Sequence, residues 1–168
     1  MKRILVTLFL CLTAFIPFSR AQQSMPQSDL LDHLVGKWIL KGTLGGKETT
    51  HYVDAEWVLN REYMRLYEVS QEKNPKGSPA YEAIIFIEQN PHTNEYTCLW
   101  LDSTEGGGLS NGILGRGKPD GDKIPFVFNM KDEAYHNTFI YNRKTDTWQW
   151  TLDGEKSGPF ARLTLTKR

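Results

Sequence analysis

Glu56, Asp102 and His136 are the candidates in this sequence for acid–base chemistry, and Ser103 beside Asp102 adds a hydroxyl nucleophile. Chain order says nothing about their geometry, and no Gly-x-Ser-x-Gly turn presents Ser103 as an exposed nucleophile. Asp102-Ser103 reads more simply as the start of the turn that continues into Thr104-Glu105-Gly106. Gly106-Gly107-Gly108 is no phosphate loop, because no Lys-Ser/Thr comes after it and no helix begins there. His33, His51, His92 and His136 have no metal-ligand spacing among them. A different chemistry is suggested by Glu56, Arg65, Tyr67, Tyr141 and Trp38. A few polar anchors among many aromatic residues are what an apolar pocket uses to hold and orient a small molecule. These five are the candidate ligand-binding residues. No metal site is expected.

The elements that must position them begin after a leader. Lys2 and Arg3 precede a nearly unbroken apolar run from Ile4 to Phe18, and Ser19-Arg20-Ala21 puts small residues at the −3 and −1 positions of a cut before Gln22. That is the pattern of a cleaved secretory signal peptide. The run is shorter than the roughly 20 residues a spanning helix needs. The expected domains are a signal peptide over 1–21 and a single barrel domain over 22–168, exported to the periplasm or secreted, with no transmembrane segment in the mature chain. Of 168 residues, 147 remain; Lys2, Arg3 and Arg20 are lost, so 20 basic against 20 acidic residues become 17 against 20. A mildly acidic chain without a basic cluster argues against nucleic acid as a partner. Cys98 is then the sole cysteine, so no internal disulfide forms, and it reads as a small buried hydrophobe.

Ser28 or Asp29 can cap a short helix carrying Leu30, Leu31, Leu34 and Val35 on one side, ended by Gly36. Such a helix is too short to stand alone and is expected to plug one end of the strand assembly built by the rest of the chain. From Lys37 onward no helical period appears. Ten runs alternate with period two: Trp38–Leu44, Thr49–Leu59, Glu62–Ser70, Tyr81–Glu88, Tyr96–Asp102, a glycine-interrupted Leu109–Leu114, Ile124–Met130, Tyr135–Tyr141, Thr147–Leu152 and Phe160–Thr166. Turn residues separate them, and Pro125 marks an edge or bulge. No crossover helices occur, so the sheet is antiparallel, and closure into an all-β, up-and-down barrel of about ten strands removes the edges. A β-sandwich is the alternative.

Gly36-Lys37-Trp38 resembles the Gly-x-Trp opening of the calycin barrels, which include lipocalins and fatty-acid-binding proteins. With Leu34-Val35-Gly36-Lys37-Trp38, Val58–Tyr63, Trp100-Leu101-Asp102-Ser103 and the closing Thr166-Lys167-Arg168, the order of features resembles the lipocalin-like DUF1579 family. One departure is Phe86-Ile87-Glu88, where the family pattern has Gly-Tyr-Asp. The resemblance implies a calycin fold with a ligand cavity and no defined reaction. It implies that Trp38 closes one end against a basic side chain near the last strand, for which Arg162 and Arg168 are candidates. In nitrobindin-like relatives of this barrel a late-strand histidine ligates haem iron, which makes His136 the candidate haem ligand here.

Three functions are expected on these grounds. The first is a non-enzymatic exported barrel that binds a small apolar or amphipathic molecule and needs no cofactor. The second is an enzyme built on Glu56, Asp102 or His136. The third is an interaction protein that works through its outer face or a homodimer surface. The leader is directly testable: intact mass of the exported protein should correspond to a chain starting at Gln22, and recovery of the uncut 168-residue chain would remove the signal-peptide reading.

Overall fold

The structure is a computed structural model that describes residues 29–104, 109 and 112–168. The leader and its cleavage site lie outside the described residues, as does Ser28. The described chain begins with one helical turn, α1 (Asp29–Asp32), and continues as ten strands: β1 (Gly36–Leu44), β2 (Lys47–Val58), β3 (Tyr63–Ser70), β4 (Glu82–Gln89), β5 (Tyr96–Asp102), β6 (Gly115–Gly117), β7 (Lys123–Asn129), β8 (Ala134–Asn142), β9 (Thr147–Gly154) and β10 (Gly158–Lys167). Each strand pairs antiparallel with its sequence neighbours, and β1 also pairs with β10, so the sheet closes into a barrel. No helix among the described residues is long and apolar enough to cross a membrane.

Period-two patterning decides which side chains fill the barrel. On β2, His51, Val53 and Ala55 point in; on β3, Met64, Leu66, Glu68 and Ser70 do; on β10, Ala161, Leu163 and Leu165 do. At one end the interior is packed solid by Trp38, Trp148, Tyr96, Phe126 and Met64, each 0–1 % exposed. Leu30, Leu31 and Leu34 close this end from outside the sheet. α1 is a single turn, continued only by i→i−3 bonds through Val35 N–H to Asp32 O. It is held instead by side chains: Trp38 Nε1 donates to Leu34 O at 2.6 Å, Trp148 Nε1 to His33 O at 3.3 Å and Trp57 Nε1 to Asp32 Oδ1 at 2.6 Å. Val35, grouped by its spacing with the buried leucines, is instead 39 % exposed, at the junction between the last turn and β1.

Two expectations are corrected. The basic partner of Trp38 is Lys167, not Arg162 or Arg168: the register sets Trp38 opposite Lys167, and Nζ sits 3.8 Å from the ring centroid while donating to Val35 O at 3.0 Å. Arg162 pairs with Asp153 at 2.6 Å, and Arg168 lies over Tyr52. The second concerns the sixth strand. It is Gly115–Gly117, not Leu109–Leu114; Leu109 is 78 % exposed, and residues 105–108 and 110–111 lie outside the described residues. The glycines are needed where the chain passes β7 closely. A Cβ on Gly115 would fall 2.5 Å from the Phe128 ring, and one on Gly117 would collide with the carbonyl oxygen of Pro125. β6 pairs with β7 only at Arg116↔Val127, so this is the thinnest part of the wall.

Gly117→Ala should therefore destabilise the barrel by about 1–3 kcal/mol, the usual cost of overpacking. Urea unfolding measures it, and an unchanged midpoint would show that the β6–β7 approach is not a constraint.

Candidate functional site

The end opposite α1 is not filled by the described residues. A cavity of about 310 Å³ opens there, lined by 14 residues from the far ends of the strands. Its floor is a pair of stacked indoles, Trp100 and Trp150, with centroids 5.3 Å apart; Phe139 stacks beneath Trp150 at 5.8 Å. Both indole N–H groups are satisfied: Trp150 Nε1 donates to Asn137 Oδ1 at 2.5 Å and Trp100 Nε1 to the Tyr81 hydroxyl at 3.0 Å. Leu44, Phe128, Met130, Tyr135, Leu152 and Phe160 make the walls and rim. The sequence builds this from alternation: Trp150 and Leu152 are successive inward residues of β9, and Tyr135, Asn137 and Phe139 of β8.

The acidic side of the cavity is a cross-strand row. Val53, Glu68, Ala83 and Asp102 stand opposite one another across β2, β3, β4 and β5. The small Ala83 separates the two carboxylates, and both line the cavity. Asp102 Oδ1 accepts from the Thr104 amide and hydroxyl at 2.8 and 2.6 Å, which fixes the turn after β5. Glu68 is only 2 % exposed. Its Oε1 meets His51 Nδ1 at 2.5 Å, and His51, equally buried, carries Nε2 2.8 Å from Thr49 Oγ1. Tyr81 stacks on the far side of the imidazole at 5.5 Å.

Proton counting defines the state of this pair. The Thr49 hydroxyl donates to Glu72 Oε2 at 3.1 Å, so its single proton is spent and His51 Nε2 must be the donor to Thr49. One proton then remains between Nδ1 and Oε1, and the pair is neutral overall whichever atom carries it. Burial pushes the Glu68 carboxyl above the ordinary carboxylate range; the hydrogen bond and charge of His51 oppose this, and Asp102 adds to it. In both states Glu68 Oε2 is an acceptor, and among the described residues it has no hydrogen-bond partner.

The residues singled out from sequence lie elsewhere. Glu56 and Arg65 face each other across β2 and β3 and form an ion pair on the outer face. Tyr67 donates to Glu82, also outside. Tyr141 and Trp38 belong to the closed end, Tyr141 stacked on His33 at 4.3 Å. None of the five lines the cavity. The reason is strand phase: β3 points Met64, Leu66 and Glu68 inward, so Arg65 and Tyr67 must point out. His136 is also on the outer face, with Nε2 3.0 Å from Glu155 Oε1 and its side chain 49 % exposed. It does not fit as the ligand of a haem held inside the barrel. Of the acid–base trio only Asp102 reaches the cavity. Cys98 is fully buried on β5, where burial raises its thiol well above the ordinary range. His51 and Glu68 form the buried polar pair, which sequence motifs did not single out; a polar residue at an inward position of an otherwise apolar strand is the signal that marks them. A comparison with known protein families finds no match to this chain, and one with curated proteins finds none either.

The rim depends on another carboxylate. Glu133 Oε2 accepts the Lys156 and Ser157 amides at 2.8 and 3.0 Å, and Oε1 accepts the hydroxyl of Tyr135 at 3.0 Å. The two amide hydrogen bonds lower its pKa from 4.5 to about 2. Because the folded value is depressed, the stabilisation is complete above pH 4.5 and is lost as pH falls toward 2. Glu133→Gln should lower the melting temperature at pH 7, and the deficit should shrink as both proteins are melted at successively lower pH across that window. A deficit independent of pH would assign the loss to packing instead.

Proposed function

We propose that this chain is an exported, calycin-like barrel that binds a small apolar or amphipathic molecule in the cavity above Trp100 and Trp150. The supporting observation is the cavity itself. About 310 Å³ is at the small end of ligand sites, and its apolar walls with few polar groups are the usual composition of such sites. A closed ten-strand antiparallel barrel is compatible with it, since barrels of eight or more strands can hold one small ligand. The Gly36-Lys37-Trp38 opening and the Lys167 contact on Trp38 support the likeness to lipocalins and to the DUF1579 family. The leader supports export. Function as a carrier or sensor, without chemistry on the ligand, is favoured because Glu56 and His136 lie on the outer face and Asp102 alone of the three acid–base candidates reaches the cavity.

The test uses a neutral fluorescent probe, N-phenyl-1-naphthylamine. The mature protein should bind one equivalent and lose indole emission as the probe covers Trp100 and Trp150. Leu152→Trp, which fills the cavity from its wall, should weaken binding at least about tenfold, the loss of roughly 1.4 kcal/mol of contact. Equal binding by the wild type and this variant would place the probe elsewhere and defeat the cavity reading.

A further inference from the structure

Among the described residues, the cavity walls contain two ionisable carboxylates, Glu68 and Asp102, and no lysine, arginine or histidine. Their spacing is set by the barrel itself: both are inward neighbours of Ala83, one strand to either side, about 10 Å apart between backbones at roughly 4.8 Å per strand. Ala83 leaves the gap between them open. Glu68 Oε2 is an acceptor whether the shared proton sits on His51 or on the carboxyl, so this wall offers a fixed acceptor to whatever enters. With the Glu68–His51 pair neutral, Asp102 leaves the lined cavity with a negative charge. Six of the 14 lining residues are aromatic, and their ring faces attract cations.

We propose that the molecule held here is a protonated primary or secondary amine on a flat apolar body, with its N–H groups directed to Glu68 Oε2 and Asp102 and its body on the Trp100–Trp150 floor. The proposal rests on the cavity being a ligand site and adds the chemistry of the head group. Fatty acids and other carboxylates do not suit the cavity, because among the described lining residues their head group would meet two acidic side chains and no cation. A quaternary ammonium would find the aromatic faces and the charge but could not donate to Glu68. The net charge of the mature chain, with 17 basic and 20 acidic residues, favours approach of the same class.

Three ligands that share one body separate the two readings: 2-(1-naphthyl)ethylamine, 2-(1-naphthyl)ethanol and 1-naphthylacetic acid, titrated by calorimetry at pH 7. The amine should bind about 10- to 100-fold more tightly than the alcohol, the range a charge-assisted hydrogen bond supplies, and the acid should bind least. Asp102→Asn should remove most of the amine's advantage over the alcohol. Glu68→Met, which keeps the volume and removes the acceptor, should do the same, with its fold checked by circular dichroism; Asp102→Asn carries the test if that variant does not fold. Glu56→Gln on the outer face should change none of the three. Equal affinities would overturn the amine assignment and leave the cavity as a ligand site. Preference for the acid would also overturn it. Failure of all three to bind at millimolar concentration would overturn both readings.

Discussion

The pairing of β1 with β10 is the contact on which the rest of the molecule depends. Seven facing residue pairs, from Trp38↔Lys167 to Leu44↔Ala161, close the sheet and leave no free edge. Closure makes one face of every strand an interior, and the chain must either fill it or leave a cavity. Trp38 ties this seam to the plug. Its indole N–H holds Leu34 O, its ring lies under Lys167, and the same ammonium donates to Val35 O. One side chain thus joins the first strand, the last strand and the segment after α1. The leucines of that segment need the arrangement as much as it needs them, since a four-residue helix has no stability of its own.

The two ends of the barrel are filled unequally, and side-chain volume explains why. Trp38, Trp148, Tyr96 and Phe126 occupy the closed end together with the plug. Toward the other end the inward positions include Ala83, Ala161, Asn137 and Ser70, and the two large indoles there stack on each other as a floor. Above the floor the described residues leave a cavity of about 310 Å³. The wall beside this space is also the thinnest, because β6 contributes only three residues. The cavity therefore results from the same ladder that packs the other half, with smaller residues in corresponding positions.

Glu68 and His51 are the costly part of the interior. Two ionisable groups removed from water are tolerated because they share a proton and because Thr49 and Glu72 continue the hydrogen bonding outward. Replacing them by apolar residues would satisfy the core more simply. Their position also brings Glu68 to the edge of the cavity, as one of its lining residues.

Much of the architecture was legible from sequence. Ten alternating runs, no crossover helix and strong turn signals are local properties, so nine of the ten strands fall where the alternation places them; the exception, β6, is short and glycine-rich and is specified by its close approach to Phe128 and Pro125 rather than by its own pattern. Inward faces were also readable where one phase was plainly apolar, as with Trp148, Trp150 and Leu152 or Ala161, Leu163 and Leu165. β3 was ambiguous, since Arg65 and Tyr67 alternate with Met64, Leu66 and Glu68, and only barrel closure assigns the second set to the interior. The site itself was decided by tertiary structure. Glu68, Ala83 and Asp102 come from three strands and acquire a common environment only through register. Alternation encodes which side of a strand is buried; it does not encode which buried residues meet, because that depends on pairings between segments tens of residues apart.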